Sequence, residues 1–122
     1  MRMKAEKKRP RFENFNDGYV RIFKLKDTSE PGFEPSLKPV IHQRYPFEYK
    51  TIGVKRAYEA TQAMCRLDEL IKIPLDRAVS TQCIACIDSV QYEIKQVQHK
   101  NETLPPTTWL SLTLLEERYD SL

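Results

Sequence analysis

Any chemistry in this chain has to come from few residues. Cys83-Ile84-Ala85-Cys86 has the spacing of a metal knuckle, and Cys65 with His42 or His99 would complete a four-ligand zinc set. Two thiolates three residues apart converge on one ion only where the backbone turns, because on a strand they point to opposite faces. No second Cys-x-x-Cys pair exists, so these cysteines read as buried structural residues. His42 and His99 lie outside any His-Glu-x-x-His pattern, and no local signature pairs a cysteine with a histidine as nucleophile and base. Asp68 and Glu69 are adjacent and do not face each other as an acid and base pair. Glu69 interrupts an apolar strand face, which suits a surface or intersubunit partner as well as a reaction. Phosphate cradles need closely spaced glycines, and Gly18, Gly32 and Gly53 supply neither a Walker loop nor a dinucleotide fingerprint. The expectation is a non-enzymatic protein with no metal and no cofactor.

Binding is better represented than catalysis. Residues 1–11 carry six basic side chains (Arg2, Lys4, Lys7, Lys8, Arg9 and Arg11) against Glu6, a local charge of +5. The rest of the chain has 14 basic and 16 acidic residues, a charge of −2. Such an arm suits phosphates or an acidic partner surface through a weak, salt-sensitive contact, although short charged termini are often simply solvated. Pro10 prevents a long basic helix there. Tyr45, Phe47 and Tyr49 alternate, so they would stack bases if exposed or line a buried face; strand spacing favours burial. Trp109, ahead of alternating leucines, reads as a core or barrel-rim aromatic.

The elements that must carry these residues are mostly short strands. Residues 19–26 mix β-branched, aromatic and basic side chains, as a strand covered on one side does. Asn16-Asp17-Gly18 marks a turn before them. Residues 27–39 hold Pro31, Gly32, Pro35 and Pro39 and predict a long extended loop without regular structure. Residues 45–50 alternate as a strand that Pro46 confines to an edge. The spacing of Ala57, Ala60 and Met64 predicts a short helix over 54–63, followed by a strand ending at Ile73. Residues 81–87 and 91–98 form a hairpin about Asp88-Ser89, a turn lacking the usual glycine. A second loop over 99–106 closes at Pro105-Pro106, and 107–115 alternate Leu110, Leu112 and Leu114 on one face. Residues 116–122 read as a tail.

With 122 residues the chain is one domain, and short strands separated by turns favour a small barrel or sandwich. No apolar run reaches bilayer length. Nothing hydrophobic follows Met1-Arg2-Met3-Lys4, so no signal peptide is expected, and three cysteines then read as reduced thiols in a cytosolic setting.

One resemblance runs through the chain. Thr51-Ile52-Gly53-Val54-Lys55-Arg56-Ala57-Tyr58, Leu70-Ile71-Lys72-Ile73-Pro74, Ser80-Thr81-Gln82, Gln91-Tyr92-Glu93-Ile94-Lys95-Gln96-Val97-Gln98 and Leu104-Pro105-Pro106 before Leu110-Ser111-Leu112 occur in this order. Together they resemble the head closure, or head-tail adaptor, proteins of tailed phages of Gram-positive hosts, over about residues 18–119. Cys83 and Cys86 depart from that pattern, in which an acidic residue is usual near position 83.

The resemblance implies a mainly β fold: a small SH3-like β-barrel with one short helix and a long loop between early strands, to which the basic N-terminal arm, outside the match, is attached. The corresponding divisions are an arm over 1–17, a barrel over 18–116 with a projecting loop at 27–42, and a tail over 117–122. It implies a stopper in the virion neck, assembled in the host cytoplasm, forming a ring of six or twelve copies below the portal and its adaptor. Its partners would be copies of itself, the portal-associated adaptor, a tail or tail-completion protein, and the packaged double-stranded DNA passing through the channel, with no membrane. Asp27, Glu30, Pro31, Gly32, Phe33 and Glu34 would then belong to the channel-closing loop, whose acidic side chains suit a conduit that must not bind DNA. The alternatives are a small β-barrel nucleic-acid-binding module, using the arm and exposed aromatics, and a neighbouring tail-completion protein.

Overall fold

A computed structural model describes residues 13–51, 67–120 and 122. Six strands are present: β1 (Gly18–Asp27), β2 (Leu37–Lys50), β3 (Glu69–Pro74), β4 (Cys83–Ile87), β5 (Val90–Lys100) and β6 (Thr107–Leu114). They close into an antiparallel barrel in the order β1-β2-β3-β6-β5-β4. The chain is mainly β, and no helix occurs among the described residues. The helix expected over 54–63 lies outside them.

Alternation decides what fills the barrel. Val20 and Ile22, Phe47, Ile71 and Ile73, Cys83, Ala85 and Ile87, Tyr92 and Ile94, and Leu110 and Leu112 form one buried cluster drawn from all six strands. Strand β4 is buried along its whole length. Its odd-numbered residues face the interior, while Ile84 and Cys86 point outward and pack with Phe23 in a second cluster. Cys83 and Cys86 therefore diverge, as residues three apart on an extended strand must. The β4–β5 hairpin turns at Asp88 and Ser89, with φ of 50° and 72°, and Ile87 pairs with Val90. Both turn residues take the left-handed conformation that a two-residue hairpin with the strands' own twist demands.

Several boundaries differ from those expected. The loop expected over 27–42 is shorter: β1 continues through Asp27 and β2 begins at Leu37, so only residues 28–36 connect them. Pro39 does not stop β2. Thr28 N–H donates to the Ser36 carbonyl at 2.8 Å, which sets the ladder's phase. Pro39 then falls where its nitrogen faces away from β1 and no ladder donor is missing. Pro46 is accommodated in the same way, because the neighbouring Phe47 carbonyl faces β1 and accepts from Asp17 N–H at 2.9 Å. β3 reaches β2 only at residues 48–50, so among the described residues the rest of β2 has no strand on that side.

The described residues before β1 and after β6 are tied to the barrel wall. Residues 13–17, expected in the arm, instead cross its outside: Glu13 N–H donates to the Leu104 carbonyl, and Phe15 lies under the Lys72 ammonium. The expected tail is also bound. Leu115, Tyr119 and Leu122 pack on Phe23, Ile84 and Cys86, and the Gln91 side chain both donates to the Tyr119 carbonyl and accepts its N–H at 2.7 Å. The reason is the outward apolar face of β4, which would otherwise meet water.

Candidate functional site

The β1–β2 hairpin extends beyond the rest of the barrel. β1 pairs with β4 only as far as Lys24 opposite Cys83, whereas its ladder with β2 continues to Asp27 opposite Leu37. Residues 25–27 and 37–39 thus pair only with each other among the described residues. The ladder slips where Ile22 pairs with Gln43 and Phe23 with Ile41, leaving His42 as the extra residue of a β-bulge. A bulge bends its strand and re-aims the side chain it carries.

That side chain roots the hairpin. His42 Nε2 lies 2.8 Å from Asp76 Oδ2, and Tyr45 donates its hydroxyl to the same oxygen. Asp76 Oδ1 accepts the Ala78 N–H at 2.8 Å. The Asp76 N–H donates to Thr108 Oγ1 at 3.0 Å, and that hydroxyl is 2.9 Å from His99 Nδ1. Burial pushes the Asp76 carboxyl up, but the bonds from Tyr45, His42 and the Ala78 amide outweigh it and hold it below the ordinary range. Tyr45 is pushed far up by burial and by that carboxylate. Both histidines of the chain serve one network spanning β2, β5, β6 and the β3–β4 connection. Sequence reasoning missed it, because the bulge that brings His42 to Asp76 leaves no local signature.

The hairpin tip is built rather than loose. Phe33 N–H donates to the Glu30 carbonyl at 3.1 Å across Pro31 and Gly32, and Gly32 has φ of 92°. Proline then glycine at the central positions is the requirement of a type II turn. At its neck, Asp27 Oδ1 accepts from Ser29 N–H at 2.9 Å, Ser29 Oγ at 2.7 Å and Ser36 N–H at 3.1 Å. The Ser29 hydroxyl, then the Ser29 and Ser36 amides, lower the Asp27 pKa. The expected loop residues Asp27, Glu30, Pro31, Gly32, Phe33 and Glu34 are therefore brought together in one projection, all exposed to solvent. Phe33 is 70% exposed, and Leu37 and Ile41 are each 54% exposed.

The other candidate residues are dispersed. Arg2, Lys4, Lys7, Lys8, Arg9 and Arg11 lie outside the described residues, as does Cys65. Phe47 is buried in the core, Tyr45 is bound to Asp76, and Tyr49 meets Phe47 edge-on at 4.9 Å, so the three do not form a stacking platform. Trp109 lies under the ammonium groups of Lys100 at 3.7 Å and Lys50 at 5.3 Å. Among the described residues no group of three His, Cys, Asp or Glu is placed to hold a metal.

Lys72 is a functional-looking charge whose role is structural. It is buried on the outer wall, where Glu13 and Glu48 both accept from its ammonium, Glu48 at 2.9 Å. Burial lowers its pKa, and the two carboxylates more than restore it. No protein-family model matches this sequence, and a search of curated proteins finds no match either.

Proposed function

We propose that this chain is a structural subunit of a phage neck, a head-tail connector stopper. Copies form a ring below the portal and its adaptor, retain packaged DNA in the head and offer the tail a docking surface. The barrel in this reading is SH3-like, with its short helix over 54–63, and the protein is neither an enzyme nor a carrier of cofactors.

The observation that carries the proposal is the projecting β1–β2 hairpin. A compact barrel has no need of a ribbon that places Phe33, Leu37 and Ile41 in water. An assembly in which neighbours cover these side chains does. Glu30 and Glu34 at the tip suit a channel wall that repels the duplex. The order of segments resembling head closure proteins points the same way.

Imaging of the purified chain mixed with portal–adaptor complexes tests the reading, with a ring added below the adaptor as the expected result. A monomer that ignores those complexes and binds DNA with steep salt dependence would overturn it in favour of a nucleic-acid-binding module.

A further inference from the structure

We infer that the outer face of the β1–β2 hairpin grips a second copy of this chain, through an arginine pair that takes carboxylates from that copy's acidic rim. This rests on the self-association proposed above and assigns its contact.

Cross-strand partners Tyr19 and Pro46, Arg21 and Arg44, and Phe23 and Ile41 alternate along the ladder and so share one face. Phe23 belongs to the cluster outside the barrel, which identifies that face as the outer one. Arg21 and Arg44 stand directly opposite each other, an arrangement that repels unless an anion joins them. Neither has a carboxylate partner among the described residues. Each guanidinium is held by an aromatic ring instead: Arg44 lies 4.3 Å from the Tyr19 centroid and Arg21 5.4 Å from that of Phe23. Arg21 also donates to Cys86 Sγ at 3.2 Å. A guanidinium resting over a ring keeps N–H donors for a planar carboxylate and loses less freedom when it binds one. Exposed Tyr19 and Ile41 flank the pair, the aromatic and arginine composition of interface centres.

The counterpart is at the end of the barrel away from the hairpin tip. Asp17 precedes β1, Glu69 begins β3 and Asp88 makes the β4–β5 turn. The antiparallel ladders bring the starts of β1 and β3 and the β4–β5 turn to one rim, where Asp17 Oδ2 accepts the Tyr49 N–H at 2.9 Å. Burial first, then the charges of Glu69, Asp88 and Asp17, raise the Tyr49 hydroxyl's pKa. Tyr49, Val90 and Leu114 are exposed beside them. Among the described residues the basic groups nearby are engaged: Lys50 by Glu48 and the Trp109 ring, and Arg118 by the Ser89 carbonyl at 2.7 Å. Two different patches of one chain meeting head to tail make a heterologous contact, which closes into a ring when the rotation permits.

Charge reversal on the full chain tests this. Arg44 is exposed, so Arg44→Glu should unfold at the wild-type temperature. Asp88→Lys, at a left-handed turn position, should unfold slightly earlier but stay folded during the assay. Each should raise the concentration needed for self-association, alone or on adaptor rings, by about tenfold or more. Glu69→Lys with Asp88→Lys should restore assembly to Arg44→Glu. Assembly undiminished in the single variants, or lost from Arg44→Glu without rescue, overturns this contact and leaves the neck reading intact. A wild-type chain that assembles under neither condition overturns both. Loss of DNA binding by Arg44→Glu, with assembly unchanged, assigns the pair to phosphates and also overturns it.

Discussion

Asp76 is the residue on which the hairpin's root depends, since it accepts from Tyr45, His42 and the Ala78 amide at once. Hydrogen bonds to a charged acceptor contribute about 1.5–3 kcal/mol, so Asp76→Asn should cost about 2 kcal/mol near neutral pH. Its folded pKa is lowered; the stabilisation is therefore complete above the unfolded value of ~3.9 and is lost as pH falls through the folded one. Urea unfolding of wild type and variant should show the gap narrowing in acid. A gap independent of pH would mean that the carboxylate's charge is not what holds the root. Lys72 makes the opposite case, a buried cation that needs its acids. Removing one partner of a buried pair costs about 3–5 kcal/mol, and Glu48 is partly solvated, so Lys72→Met belongs near 3 kcal/mol. Replacing Glu13 with Leu in the same chain should recover most of that, since no buried carboxylate then lacks a partner.

At the scale of elements, the two additions to the barrel behave differently. The C-terminal segment covers Phe23, Ile84 and Cys86, so removing residues 116–122 should speed thiol modification of Cys86 by about tenfold. Cys83 faces the interior and should stay protected; equal gains at both would indicate general unfolding. The tip of the hairpin covers no apolar cluster among the described residues. Replacing residues 28–36 with Asn-Gly should change stability by less than about 1 kcal/mol, because closure entropy depends weakly on length. Phage heads filled with the shortened protein should nonetheless lose DNA. Heads that remain full would overturn the proposed gating role of the hairpin.

For the whole molecule, closure of the barrel is the organising fact. It pairs every strand on both sides over part of its length, yet the β2–β3 contact spans only three residue pairs. Among the described residues, the stretch of β2 that does not meet β3 and the outer arginine pair are then surfaces open to other chains. Assembly through Arg44 and the acidic rim should weaken as salt rises, because partly exposed charges are screened. Light scattering across a salt series checks it: salt-insensitive assembly would place the contact on apolar groups alone.

What the sequence determined by itself is what depends on neighbours along the chain. Alternating leucines mark β6, the two runs about Asp88-Ser89 mark β4, β5 and their hairpin, and the three-residue spacing of Cys83 and Cys86 sends them to opposite faces. These follow from backbone sterics and pleat, which act over two to four residues. The tertiary structure alone decided that β2 runs through Pro39, that His42 bulges toward Asp76, that Lys72 is buried and that Tyr119 docks on Gln91. Each of those joins residues far apart in the chain. A proline is tolerated only when its nitrogen faces an open edge, and a buried charge only when distant acids reach it; neither condition is written in the flanking residues.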